Sequence, residues 1–208
     1  MESYNIWIND KDKLIFIRIP KTAGTSIQSS LDMNKWRYIS KQESINFDPY
    51  HMNQNDIKLE KFEDYNFFAV HRNPWDRMLS YYMFYLKLGE KYLERKDSLG
   101  DWGRSLHREL IKQGFAKSLS KNGYFGSMYY IEKEKKPIEI LNCCSWMQHG
   151  EWLPFKKLDK FKKYGIIIQK NENKTKHMEY QEYYDADSIL CIEKYFEEDI
   201  KKFNYSFV

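Results

Sequence analysis

The 208-residue chain predicts an α/β fold, a largely parallel β-sheet flanked by helices, in a single domain spanning residues 1–208. Three observations carry that prediction. A near-continuous apolar run at residues 14–19 stops at Pro20 and is followed within five residues by helix-starting chemistry. A second run at 67–71 is followed in the same way by Asn73 and Pro74. The chain closes on an amphipathic segment of helical period at 187–203.

Taken in order, residues 4–8 and 14–19 read as two short strands around the polar turn Asn9-Asp10-Lys11-Asp12. Residues 25–31 read as a helix, because Thr25 or Ser26 can cap the amides of its first turn. A further strand is expected at 36–40 and a short helix at 55–62. Residues 67–71 form a strand that ends where Asn73 can serve as N-cap and Pro74 as first helical residue. The helix predicted over 74–88 has Leu79, Tyr82, Met83 and Leu86 on its core face and Gly89 at its end. Residues 90–137 are charge-rich, with one helix expected at 105–119 and turns at Gly100, Gly103, Gly123 and Gly126. A late buried strand is expected at 165–169, and the terminal helix carries Ile189, Ile192, Phe196, Ile200 and Phe203 on one stripe.

Composition narrows the function classes. Hydrophobic residues make up 42% and aromatics 17%, which supports a packed core and excludes a disordered chain. The 34 Lys and Arg against 30 Asp and Glu leave +4, too small an excess for a nucleic-acid coat, so no nucleic-acid partner is expected. Only seven of those cations are Arg, which makes each one a candidate oxyanion clamp. Three Cys, two adjacent at 143 and 144, offer no disulfide framework or zinc knuckle, and the His show no paired metal spacing. No metal is expected. No apolar run approaches the ~20 residues of a membrane span and the first residues lack a signal-type apolar segment, so a soluble, cytoplasmic protein without a membrane partner is expected.

Two segments carry chemistry. In Leu14-Ile-Phe-Ile-Arg-Ile-Pro-Lys-Thr-Ala-Gly-Thr-Ser26, a buried strand passes through a tight loop into a helix start, where backbone amides and the helix dipole favour an oxyanion. Gly24 lets the backbone approach a ligand, Thr22, Thr25 and Ser26 bring hydroxyls, and Lys21 brings a mobile charge. The loop lacks the Gly spacing of a Walker A motif, which disfavours a nucleoside triphosphatase. In Phe67-Phe-Ala-Val-His-Arg-Asn-Pro-Trp-Asp-Arg-Met-Leu-Ser-Tyr-Tyr82, Arg72 ends the strand and Ser80 lies opposite the apolar stripe, a pairing that suits a phosphate monoester.

In this order the two segments resemble the signature of sulfotransferases that use 3′-phosphoadenosine 5′-phosphosulfate (PAPS), in their carbohydrate (glycosaminoglycan-type) branch. The resemblance implies a P-loop-like sheet, a PAPS donor held at its 5′-phosphosulfate by Lys21, Thr22, Ala23, Gly24, Thr25 and Ser26, and a 3′-phosphate held by Arg72 and Ser80. The segment 196–205 is similar to the closing helix of these enzymes. Residues 13–88 are then a cofactor-binding core, 90–160 a variable acceptor-side region and 161–208 the C-terminal strand and helix. His71 stands where a small or apolar residue is usual, and Arg95-Lys-Asp-Ser-Leu-Gly-Asp-Trp102 imitates a later phosphate motif but comes too early and lacks its Gly.

Sulfuryl transfer needs charge stabilisation on the leaving phosphate, which Lys21 can supply, and a base for the acceptor hydroxyl. His51 is the expected base, since imidazole titrates near neutrality and related glycosaminoglycan 2-O-sulfotransferases place a His between the two motifs; Glu43, Asp48 and Glu63 are reserves. Arg104 and Arg108, with His107 and Lys112, lie near one helical face that can meet an anionic, hydroxyl-bearing acceptor, in this reading a glycan. Two other functions fit the same residues: a P-loop-like nucleotide kinase, or a non-catalytic binding protein on a sulfotransferase scaffold.

Overall fold

The chain enters the structure as a tight hairpin. Strand β1 (Ile6–Asn9) pairs antiparallel with β2 (Leu14–Ile17), with Trp7 opposite Phe16, and all eight residues are buried. The Asn9 side chain closes the turn between them: its carbonyl oxygen accepts from the Asp12 amide and its amide donates to the Asp12 carboxylate. This computed structural model describes residues 4–49, 52–80, 83, 142–168, 179–184 and 186–208. They fall into two compact units, Met1–Arg72 with Ile138–Lys174, and Asn73–Pro137 with Thr175–Val208.

The first unit holds a five-stranded sheet in the order β3-β1-β2-β4-β5, where β3 is Arg37–Tyr38, β4 is Asn66–His71 and β5 is Glu151–Pro154. β2, β4 and β5 run parallel, while β1 is antiparallel to both its neighbours. The sheet is therefore mixed rather than largely parallel. A four-residue turn between β1 and β2 admits only a hairpin, whereas the 48 residues between Ile17 and Asn66 allow a crossover.

The late strand expected at 165–169 is not formed over its described part, 165–168. Gly165, at φ 69, caps a 3-10 segment (Phe155–Tyr164), and the Ile166 amide bonds back to the Phe161 carbonyl. Ile166 is then buried while Ile167 is 60% exposed, so the apolar run supplies one core anchor instead of a strand. The short helix expected at 55–62 is two 3-10 turns, Gln54–Asp56 and Leu59–Lys61.

One face of the sheet packs Trp7, Phe16, Phe68, Val70 and Leu153 against Ile27, Leu31, Trp36, Phe161 and Ile166. The rings of Phe16 and Phe68 stack at 5.3 Å, and those of Phe68 and Tyr164 at 4.2 Å. Each such buried side chain contributes on the order of 1.5–3 kcal/mol. Much of the aromatic content of this unit is thus committed to the core.

The second unit is helical in its described part. Helix α2, residues 74–80 with Met83 also helical, starts at Pro74. The Asn73 side-chain oxygen accepts from the amides of Trp75 and Asp76, as the Asn-Pro pair predicts. Leu79 is fully buried; Tyr82, Leu86 and the remainder to residue 88 lie outside the described residues, as do the helix at 105–119 and the four glycine turns. The single terminal helix is instead two, α3 (Ala186–Tyr195) and α4 (Glu197–Phe203), parted at Phe196, whose φ −114 and ψ 28 are not helical. Ile192 and Phe196, 1% and 0% exposed, are the two deepest anchors of the predicted stripe. The C-terminal tail returns to this unit, where Phe207 packs edge-on to Trp75, Tyr180 and Tyr184.

Candidate active site

Three parallel strands end side by side, and each is followed at once by a residue of the candidate site. Arg18 and the loop through Lys21 follow β2, Arg72 follows β4, and Phe155 follows β5. Ligands of open α/β sheets bind beyond the carboxyl ends of the parallel strands, where loops converge without blocking the sheet. A cavity of 470 Å³ lies at the opposite ends of these strands, lined by Leu14, Asn66, Glu151 and Tyr164 among others. It holds none of the predicted site residues.

The loop is shaped by backbone rather than by capping side chains. Lys21 and Ala23 have φ of 64 and 67, left-handed values that cost a non-glycine residue about 1 kcal/mol or more each. Ala23, not Thr25 or Ser26, is the N-cap of helix α1 (Gly24–Gln28), and it caps without a side-chain hydrogen bond. Thr22 is buried and donates its hydroxyl proton to the Ile19 carbonyl at 2.9 Å, which ties the loop to the strand end. Ser26 is buried and its carbonyl accepts the hydroxyls of Ser29 and Ser30. Thr25 is exposed, and its hydroxyl oxygen faces an Arg18 Nη2 at 3.4 Å.

Arg72 is brought to this loop directly. Its Nη1 donates to the Lys21 carbonyl at 3.0 Å, and its guanidinium carbon lies 4.2 Å over the Phe155 ring. It is 8% exposed, so most of its charge is out of water. Burial, then the charges of Arg72 and Arg18, push the Lys21 amine down from 10.5 to about 8. Burial likewise lowers Arg18. Three cations gathered in one desolvated corner repel each other, an arrangement that an anion relieves.

Sequence reasoning missed Arg18 and Phe155. Arg18 was legible as the one charge inside the apolar run Leu-Ile-Phe-Ile-Arg-Ile. Phe155 carried no signal, because the strand before it has a Glu, a half-buried Trp and a Pro in four residues and does not read as a strand.

A model of the sulfotransferase family matches residues 4–156, about three quarters of the chain. The chain belongs to the sulfotransferase family. No curated protein and no solved structure matches it. The matched span of this sulfotransferase-family domain contains the Lys21 loop, Arg72, Phe155 and all five strands. Family membership makes it a transferase of sulfuryl groups in the general sense.

Of the other expected site residues, Ser80 belongs to the second unit, where it lies on α2 and is 8% exposed. His51, Arg104 and Arg108 lie outside the described residues. Glu43 is engaged elsewhere: burial raises its carboxyl, but hydrogen bonds from Arg37 and Ser40 outweigh this and hold it below the usual value, leaving a weak base. Among the described residues no cluster of His, Cys, Asp and Glu could hold a metal, and no helix is long and apolar enough to cross a membrane.

Proposed function

We propose that the protein transfers a sulfuryl group from PAPS to a hydroxyl of an acceptor, and that the acceptor is a carbohydrate. The observation that carries the donor is the convergence of Arg18, Lys21 and Arg72 at the carboxyl ends of adjacent parallel strands. The chemistry of that set fits a nucleotide with anions at both ends: a desolvated lysine beside two guanidiniums binds a polyanion far better than a neutral ligand.

PAPS supplies the activated sulfuryl group, and the residues supply placement and charge. The Lys21 loop holds the 5′-phosphosulfate, and the resemblance assigns Arg72 and Ser80 to the 3′-phosphate. Lys21 neutralises the charge that grows on the bridging oxygen as the sulfur–oxygen bond to the 5′-phosphate breaks. His51 takes the proton of the acceptor hydroxyl as its oxygen bonds to sulfur. The products are the sulfated acceptor, 3′,5′-adenosine bisphosphate and a proton. Arg104 and Arg108 meet an anionic glycan in this reading, with no nucleic acid, membrane or metal involved.

Calorimetry with 3′,5′-adenosine bisphosphate tests the donor: tight binding that Arg72→Ala abolishes is expected, while preference for ATP with magnesium would overturn the reading in favour of a kinase. Transfer from PAPS to a panel of glycans, phenols and peptides tests the reaction. Sulfation of phenols but not glycans would remove the carbohydrate assignment, and undiminished transfer by His51→Ala would remove the base.

A further inference from the structure

Gly24 is closely hemmed in, and its neighbour is unexpected. A methyl group at this position would lie 2.4 Å from Arg18 Cγ, 2.8 Å from its Nε and 3.0 Å from its Cδ. The obstruction is the stem of Arg18, not its mobile tip. The backbone at Arg18 is fixed as well, its amide donating to the Asn5 carbonyl at 2.7 Å, so the stem cannot retreat by shifting the chain. The Arg18 Nε is buried without a hydrogen-bond partner, while Nη2 reaches the exposed Thr25 hydroxyl only at a long 3.4 Å. A guanidinium so poorly satisfied is costly unless something completes its donors.

The geometry points to Arg18 as a third anion-binding residue of this site, placed there by the absence of a side chain at Gly24, with its guanidinium donating beside Thr25 to the 5′ anion of the nucleotide. The glycine thus makes room for an arginine, and not, as its motif suggests, for the ligand. This deepens the proposed function and rests on it for the identity of the anion. The lowered amine of Lys21 agrees with this placement, since after burial and Arg72 the Arg18 charge also disfavours its protonated form.

A double-mutant cycle separates the two roles of the glycine. In titrations of the full chain with 3′,5′-adenosine bisphosphate, Arg18→Met, which keeps much of the stem but not the charge, weakens binding by on the order of tenfold or more. Gly24→Ala weakens it comparably by displacing Arg18, and Arg18→Ala/Gly24→Ala is no weaker than Arg18→Ala alone. If Gly24→Ala costs the same factor in the Arg18→Ala background as in the wild type, the glycine serves the ligand and the inference falls. Should Gly24→Ala fail to fold, Arg18→Ala/Gly24→Ala must fold again, because the clash partner is gone; continued failure overturns the inference.

Absence of bisphosphate binding by the wild type would defeat the proposed function and leave this inference open to a separate reading. The Lys21 amine, followed by pH-dependent acylation and mass spectrometry, must then titrate higher in both Arg18→Met and Gly24→Ala. An unchanged midpoint in either variant refutes the placement of Arg18.

Discussion

Lys21 is where structure and chemistry meet most directly. Its amine sits near pH 8 instead of 10.5 because burial and then Arg72 and Arg18 disfavour its charge. A bound anion reverses that balance and restores the proton. Binding of 3′,5′-adenosine bisphosphate is therefore expected to take up a proton above about pH 8, and the affinity falls by up to about tenfold per pH unit there. Calorimetry in buffers of different ionisation enthalpy checks the uptake; a proton count of zero at pH 8.5 contradicts it. The sign for folding is the opposite. With fewer protons bound when folded than unfolded, this group's contribution to stability rises with pH between about 8 and 10.5. Arg72 gives a second residue-scale expectation. Its contact with the Phe155 ring at 4.2 Å orients the guanidinium, and Phe155→Leu should weaken bisphosphate binding by about 1 kcal/mol, about fivefold, without lowering thermal stability comparably. An unchanged dissociation constant would show that Arg72 holds its position without the ring.

At the scale of elements, the second unit is fastened by polar contacts that the sequence conceals. Arg77 on α2 lies 4.0 Å from Asp199 on α4, and both side chains are at most 3% exposed. Removing one partner leaves the other charge buried, so Asp199→Leu is expected to cost about 3–5 kcal/mol. The double variant Arg77→Met/Asp199→Leu should recover most of it, which denaturant melts of the two variants decide; equal losses would mean the pair is not coupled. From the sequence, Arg77 reads as a surface cation next to Asp76, since its buried partner is 122 residues away. Elements set by local chemistry were legible: the β1–β2 hairpin, the end of β4, and the Asn73-Pro74 helix start all follow from turn and capping residues. Elements set by remote packing were not. β5 is a strand because β4 offers it a parallel edge, with Leu153 as its one fully buried side chain, while the more apolar 165–168 segment turns back on the 3-10 segment before it through the Ile166 amide. The candidate site divides likewise: Lys21 and Arg72 stand in motifs, but Arg18 and Phe155 matter because of what folds against them.

For the whole molecule, a net charge of +4 among 34 Lys and Arg and 30 Asp and Glu provides little long-range attraction for an anion. Affinity must come from the local field of Arg18, Lys21 and Arg72, which is partly buried and screened less by salt than surface charge is. The two ways of attracting a nucleotide predict different behaviour. A diffuse basic surface would lose its ligand steeply between 0.05 and 0.5 M salt and would accept any nucleotide of equal charge; a desolvated three-cation corner loses less and discriminates by where the anions sit. A ligand present at about 100 times its dissociation constant stabilises the folded state by about 2.7 kcal/mol, which for a chain of this size raises the melting temperature by roughly 5–10 °C. We expect that shift with 3′,5′-adenosine bisphosphate, its loss in Arg72→Ala and in Lys21→Ala, and little of it with the isomers 2′,5′-adenosine bisphosphate and adenosine 5′-diphosphate at the same concentration. A shift that all three nucleotides share, and that 0.5 M salt removes, would mean that the cations act as a general basic patch and that the fold's strand-end geometry selects nothing.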